Sequence, residues 1–166
     1  MDFGFIRTAA ASPRVWLADP KANAEEICGI IDKAEDRQVS LLALPELCIT
    51  GYSCGDLFGQ QKLLEAAEEA VAEVRKHLRG KKVTVVLGAP VTCRGRLYNC
   101  AIVLNNGEIR GIVPKISLPN YNEFYESRWF ASGKDFVGSP VAIRYAGWKT
   151  VMATGRLFTM EKVNRR

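Results

Sequence analysis

The chain is 166 residues long, 48% hydrophobic and 25% charged, the size and composition of one ordinary globular domain. Its net charge of +5 sits at one end: residues 1–143 balance 17 basic against 17 acidic side chains, whereas Arg144, Lys149, Arg156, Lys162, Arg165 and Arg166 face Glu161 alone, so no basic face for nucleic acid is indicated. No apolar run reaches the roughly 18 residues of a membrane span, and Met1–Arg7 lacks the pattern of an export signal. Five cysteines (Cys28, Cys48, Cys54, Cys93, Cys100) without a CxxC pair, beside the single histidine His77, argue against a zinc site or a disulfide framework and suit a reducing cytoplasm.

In chain order, Phe3–Ala10 is a weakly patterned strand. Asn23 is read as the N-cap of a helix running to Arg37, with Ile27, Ile30, Ile31 and Ala34 on one face. Ser40–Leu44 has the length of a strand buried on both faces or between layers. A second amphipathic helix covers about Gly59–Leu78, with Leu63, Leu64, Ala67, Ala70, Val71, Val74 and Leu78 at three-and-four spacing, and Gly80 ends it. Lys82–Pro90 is rich in β-branched residues and reads as a strand. Leu97–Leu104 and Glu108–Val113 flank Asn105-Asn106-Gly107, a strong hairpin signal. Residues 117–139 read as a long, packed, aromatic-rich loop. Helices that alternate with strands before a hairpin appears predict an α/β fold, helices layered against a mixed sheet, in one domain or part of one.

Two positions carry chemistry. Glu46 ends the apolar run Leu41–Leu44 in Leu44-Pro45-Glu46-Leu47, ahead of the turn at Gly51. Lys115 occupies the matching place after Val113-Pro114. Each alone reads as a surface residue. Together they suit a general base beside a cation able to stabilise an oxyanion. Downstream, Leu118–Glu126 places Glu123 and Glu126 among aromatics, either as part of a small polar pocket or as a packed surface loop. Cys48 and Cys54 lie close enough in sequence to Glu46 to be considered as nucleophiles, although buried cysteines act far more often as small apolar groups. The glycines of Tyr52–Gly59 lack phosphate-loop spacing.

Three segments carry a resemblance: LPELCITGYSCGDLF at 44–58, LYNCAIVLNNGEIRGIVPK at 97–115 and LPNYNEFYESRWF at 118–130. Through them the chain resembles the nitrilase (carbon–nitrogen hydrolase) superfamily, and the glutamine-hydrolysing N-terminal domain of glutamine-dependent NAD synthetases within it. Pro-Glu-Leu with a following Gly-Tyr is shared broadly, while Ser-Cys-Gly-Asp-Leu-Phe and the 118–130 segment are narrower. The resemblance implies an αββα four-layer sandwich with a Glu-Lys-Cys triad. Glu46 would be the general base, Lys115 the lysine facing the tetrahedral intermediate and Glu123 a supporting glutamate. Tyr121 and Glu126 would line the substrate pocket. Glutamine would be the substrate, forming a γ-glutamyl thioester and ammonia, and a homo-oligomer would be expected, with neither nucleic acid nor membrane as partner. No metal or cofactor is implied here; ATP and Mg would belong to a synthetase domain that amidates nicotinate adenine dinucleotide to NAD.

The chain departs from that pattern in one respect. The family's nucleophile follows the Glu-Phe-Tyr-Glu segment on a later strand end, and no cysteine here follows Cys100. Leu157–Val163 resembles the stretch leading up to that strand. Residues 1–166 are therefore read as a partial amidohydrolase domain, its sandwich incomplete, its synthetase domain absent and its activity nil when alone. An amidase acting on another small amide, or a binding or assembly domain without catalysis, is the alternative.

Overall fold

In the computed structural model, which describes residues 5–159, the chain runs β1 (Thr8–Ala10), α1 (Pro20–Asp36), β2 (Leu41–Ala43), a 3-10 segment (Tyr52–Gly59), α2 (Gln61–His77), β3 (Thr84–Cys93) and β4 (Arg96–Asn105). It continues through β5 (Glu108–Pro114), α3 (Glu126–Trp129), a second 3-10 turn (Gly133–Phe136), β6 (Val141–Tyr145) and β7 (Trp148–Met152). Phe3 and Gly4 of the expected first strand, and Met160–Val163 of the expected lead into a further strand, lie outside the described residues.

Local chemistry explains the first helix better than Asn23 does. Asp19 is the cap: its carboxylate accepts from Ala22 N–H at 3.1 Å, and Pro20 follows where its missing N–H is harmless. Asn23 is instead a buried residue inside α1. Its amide accepts from Trp16 N–H (2.7 Å) and donates to the carbonyls of Trp16 (2.8 Å) and Ile49 (3.0 Å), pinning the entry segment and the turn after Glu46 to one helix.

The strands form one mixed sheet in the order β1-β2-β3-β4-β5-β7-β6. β1, β2 and β3 are parallel, β3-β4-β5 form an antiparallel meander, and β7 pairs parallel to β5 before β6 closes antiparallel on it. The register pairs Val85 with Leu104, Leu87 with Ile102 and Ala89 with Cys100, which puts one apolar side of the meander against Ile27 and Ile31 of α1 and Ala67, Val71 and Val74 of α2. The other side is only partly covered: Ala43 and Ala101 are exposed and Val86 and Val113 half-buried, while Val103 is buried and the Glu46–Leu47 turn packs on Gly88. The strand at Ser40–Leu44 is accordingly not buried on both faces; Leu42 alone is buried. The α/β expectation holds, and the described residues supply one helical layer and one sheet of the four-layer arrangement.

Two hairpins escaped the sequence reading. Arg94-Gly95 (φ 49° and 73°) joins β3 to β4, and Ala146-Gly147 (φ 51° and 71°) joins β6 to β7, both with the left-handed pairs that two-residue turns require. Buried Arg75 on α2 ties two turns together, donating to Gly107 O at 2.7 Å and Ala146 O at 3.2 Å and lying over the Trp148 ring. Burial lowers its pKa, with no carboxylate among these contacts to offset it. Arg75→Met leaves two turn carbonyls without these donors, so a loss of about 2 kcal/mol in a urea titration is expected. Unchanged stability would show that water replaces both bonds without penalty.

Candidate active site

Glu46 leaves β2 on a turn built against β3. Leu44 N–H bonds Val86 O (2.9 Å) and Ile49 N–H bonds Gly88 O (3.2 Å), while Leu47 adopts φ 50° and is wholly buried. The turn sits so close to Gly88 that a Cβ there would lie 2.2 Å from the Leu47 nitrogen. Beneath it a satellite core of Leu47, Cys54, Phe58, Leu63 and Phe130 joins the 3-10 segment to α3.

Lys115 follows β5, and its N–H bonds Asn99 O at 2.8 Å. The side chain of the same buried Asn99, on β4 between the two, donates to Glu46 Oε1. Asn99 thus holds both members of the pair, one through its backbone and the other through its amide. Gly133 caps the Lys115 carbonyl (2.8 Å), a contact that any side chain would block, since a Cβ would stand 2.7 Å from Pro114 O.

The ammonium of Lys115 donates to Glu46 Oε1 at 2.6 Å and to Glu126 Oε1 at 2.9 Å. Tyr52 O–H adds a third bond to this constellation, to Glu126 Oε1 at 2.7 Å. The Glu46 side chain is 43% exposed and that of Glu126 only 2%. Glu126 Oε2 is buried without a hydrogen-bond partner among the described residues. Burial opposes the charge of Lys115, but the hydrogen bonds to Glu46 and Glu126 outweigh it and hold its pKa above the ordinary lysine value. Desolvation, and then the adjacent Glu126 carboxylate, push the Tyr52 hydroxyl well up, so it is a donor at any physiological pH.

Of the residues expected to act together, Glu46 and Lys115 are brought into contact, and so is Glu126, expected in a pocket wall. Glu123 is exposed, and Tyr121 is 64% exposed with its ring against Phe124. The short helix α3 decides this: it begins at Glu126, whose N–H bonds Pro119 O, while Glu123 falls in the turn before it. Asn99 and Tyr52 were not singled out. The signal for Asn99 was an amide in the apolar strand Leu97–Leu104; Tyr52 was visible only inside the Gly-Tyr motif.

Cys48 and Cys54 were the thiols considered for attack. Cys48 Sγ donates to Gly88 O and Cys54 Sγ to Thr50 O. Desolvation raises all five cysteines, Cys28 and Cys48 to about 11. None of these thiols is hydrogen-bonded, among the described residues, to Glu46, the group that would have to take its proton. Among the described residues no cluster of His, Cys, Asp and Glu could hold a metal ion, and no helix is long and apolar enough to cross a membrane.

Comparison with known proteins agrees with the fold. Glutamine-dependent NAD(+) synthetase of Mycobacterium tuberculosis is 37% identical over 155 residues, 93% of this chain and 22% of its own length; that of Saccharomyces cerevisiae is 31% identical over 152 residues. The chain thus spans about a fifth of the length of these relatives. The crystal structure of a glutamine-dependent NAD(+) synthetase from Cytophaga hutchinsonii superposes with a TM-score of 0.85 at 32% identity, covering 94% of this chain and 26% of that one. An amidase from Nesterenkonia sp. shares the fold with a TM-score of 0.66 at 20% identity, covering 89% of this chain and 54% of that one. The carbon-nitrogen hydrolase profile matches residues 7–155, nearly the whole of the described structure, and the chain belongs to the carbon–nitrogen hydrolase family.

Proposed function

We propose that this chain is the glutamine-hydrolysing, ammonia-supplying part of a glutamine-dependent NAD synthetase, and that Glu46, Lys115 and Glu126 are its contribution to the reacting centre. The observation that carries the reading is the 2.6 Å contact between Glu46 and Lys115 at two strand ends, backed by the buried Glu126. Solvent-facing Glu46 is placed to take a thiol proton. Two donors of the Lys115 ammonium are committed to carboxylates, and the third is left for an oxyanion. A cysteine from beyond this chain would attack the glutamine side-chain carbonyl carbon, with Glu46 accepting the thiol proton and Lys115 facing the oxyanion. Collapse expels ammonia, which carries the proton returned by Glu46, and leaves the γ-glutamyl thioester. Water then attacks with Glu46 again as base, releasing glutamate and restoring the thiol.

The supporting role assigned to Glu123 passes to Glu126 in this reading, because Glu126 is the glutamate bonded to Lys115. Tyr121 would approach glutamine only as an exposed wall. ATP and Mg would be handled by a synthetase part outside these residues. The unpaired thiols suit the cytoplasm, and the partly covered sheet face suits assembly with further chain or further copies.

The test is ammonia release from glutamine. The 166-residue chain is expected to release none, because none of its five thiols is hydrogen-bonded to Glu46. Turnover by this chain would overturn the assignment of the missing nucleophile. A continuing reading frame with a cysteine strand end and an ATP-using domain would support the synthetase reading. A stop codon after Arg166 would favour the second reading, a binding domain without catalysis, for which the lack of a thiol bonded to Glu46 speaks.

A further inference from the structure

The two narrower sequence segments, Ser53–Phe58 and Leu118–Phe130, face each other, and one carboxylate joins them. Asp56 accepts from Arg128 Nε at 2.7 Å, from Arg128 Nη2 at 3.1 Å and from the Trp129 indole N–H at 2.9 Å. The Tyr52–Glu126 bond lies four residues earlier, across the kink at Ser53 and Gly55. Two residues beyond Asp56, the Phe58 ring meets Phe130 edge-on at 4.8 Å between centroids and Trp129 at 6.3 Å. These rungs zip Tyr52–Gly59 to α3.

The covalent link from Lys115 to Glu126 does not hold Glu126 in place. Residues 116–125 between them are largely exposed, and their backbone bonds, Phe124 to Tyr121, Glu126 to Pro119 and Arg128 to Tyr125, stay within the loop and the start of α3, while Ser132 Oγ donates to Ile116 O at the end away from Glu126. A carboxylate buried with one oxygen unpartnered is poorly solvated where it stands and would relax toward water if α3 could shift. Something has to hold that helix.

We propose that Asp56 is a positioning residue: by gripping Arg128 and Trp129 it sets where α3 lies and so keeps the Glu126 carboxylate on Lys115. The proposal rests on reading Glu46, Lys115 and Glu126 as the reacting group. An exposed ion pair by itself contributes little. Here the paired guanidinium bonds and the indole bond fix direction as well as contact. The grip also survives acid: the hydrogen bonds from Arg128, and then from Trp129, hold the Asp56 carboxyl down at about 2.

The experiment follows the Lys115 ammonium protons by NMR in the 166-residue chain near neutral pH. Glu126→Gln sets the scale, and its ammonium protons should exchange about fivefold faster, the factor equivalent to one ordinary hydrogen bond. Asp56→Ala is expected to approach that rate, Trp129→Phe to move part of the way, and Asp56→Glu to restore most of the protection. Ile27→Val in the main core supplies a folded, slightly destabilised control with the wild-type rate. A wild-type rate in both Asp56→Ala and Trp129→Phe would overturn the proposal, as would equal acceleration in Ile27→Val, which would mean general loosening. Should Asp56→Ala not fold, Trp129→Phe alone decides. Glutamine is absent from the assay, so failure of the hydrolytic reading and failure of this one are separate results.

Discussion

Gly88→Ala is expected to destabilise the chain by about 3 kcal/mol or more, at or above the upper end of what one added methyl does in a packed core. The new Cβ would lie 2.2 Å from the Leu47 nitrogen and 2.8 Å from both Glu46 Cα and its carbonyl carbon. These are backbone atoms of the turn that aims Glu46, so no side-chain rotation relieves the clash. Either β3 moves away from the turn, losing the Leu44–Val86 and Ile49–Gly88 bonds, or the turn moves and takes Glu46 off Lys115. A thermal melt and the Lys115 ammonium signal separate the two outcomes. Gly29→Ala supplies the opposite sign: it is exposed in α1 with nothing within 4 Å of its added Cβ, and should stabilise by about 0.5–1 kcal/mol through helix propensity. A neutral Gly88→Ala would mean that the turn is not packed on β3 at all.

Lys115→Met is the second large effect. It removes the ammonium that Glu46 and Glu126 share and leaves Glu126 buried with Tyr52 as its remaining side-chain donor. The Glu46 share is discounted because that side chain is 43% exposed; the Glu126 share is not, and the sum is about 2–3 kcal/mol. The folded pKa of Lys115 is raised, so its contribution is fully present below the unfolded value of about 10.4 and fades as pH rises through the folded one. The stability gap between wild type and Lys115→Met should therefore stay constant from neutrality to about pH 10 and close above it. Paired urea titrations measure this, and tyrosine and cysteine ionisation largely cancel in the comparison. A gap that widens with alkali would show that Lys115 is not stabilised as a cation. On the proposed function, the same change in a chain that hydrolyses glutamine should lower ammonia release by a factor of about 100 or more, the usual effect of deleting an oxyanion partner.

Much of this was legible from short stretches. α2 appears within two residues of its expected start, because Leu63, Ala67, Ala70, Val71 and Val74 repeat at helical spacing. The Asn106-Gly107 turn appears between β4 and β5, because those two residues tolerate φ of 47° and 80°. The other two hairpins were hidden because Arg94 and Ala146 are not turn-forming residues and only the glycine after each gives the turn away. Asn23 looked like a cap because its side chain suits one, and only the packed structure shows that Asp19 already fills that role.

Composition, periodicity and motif by themselves determined an α/β domain with two amphipathic helices, a central hairpin, and Glu46 and Lys115 as the pair worth placing together. Each of those is a property of one stretch of chain, written in spacing and residue type. Only the tertiary structure decided that Glu126 rather than Glu123 reaches Lys115, that Asn99 holds both members of the pair, and that Tyr52 and Asp56 fasten α3 to the site. These contacts join residues 11 to 74 positions apart. They depend on strand register, on the reach of one buried amide and on where a four-residue helix begins, and no local pattern encodes those quantities.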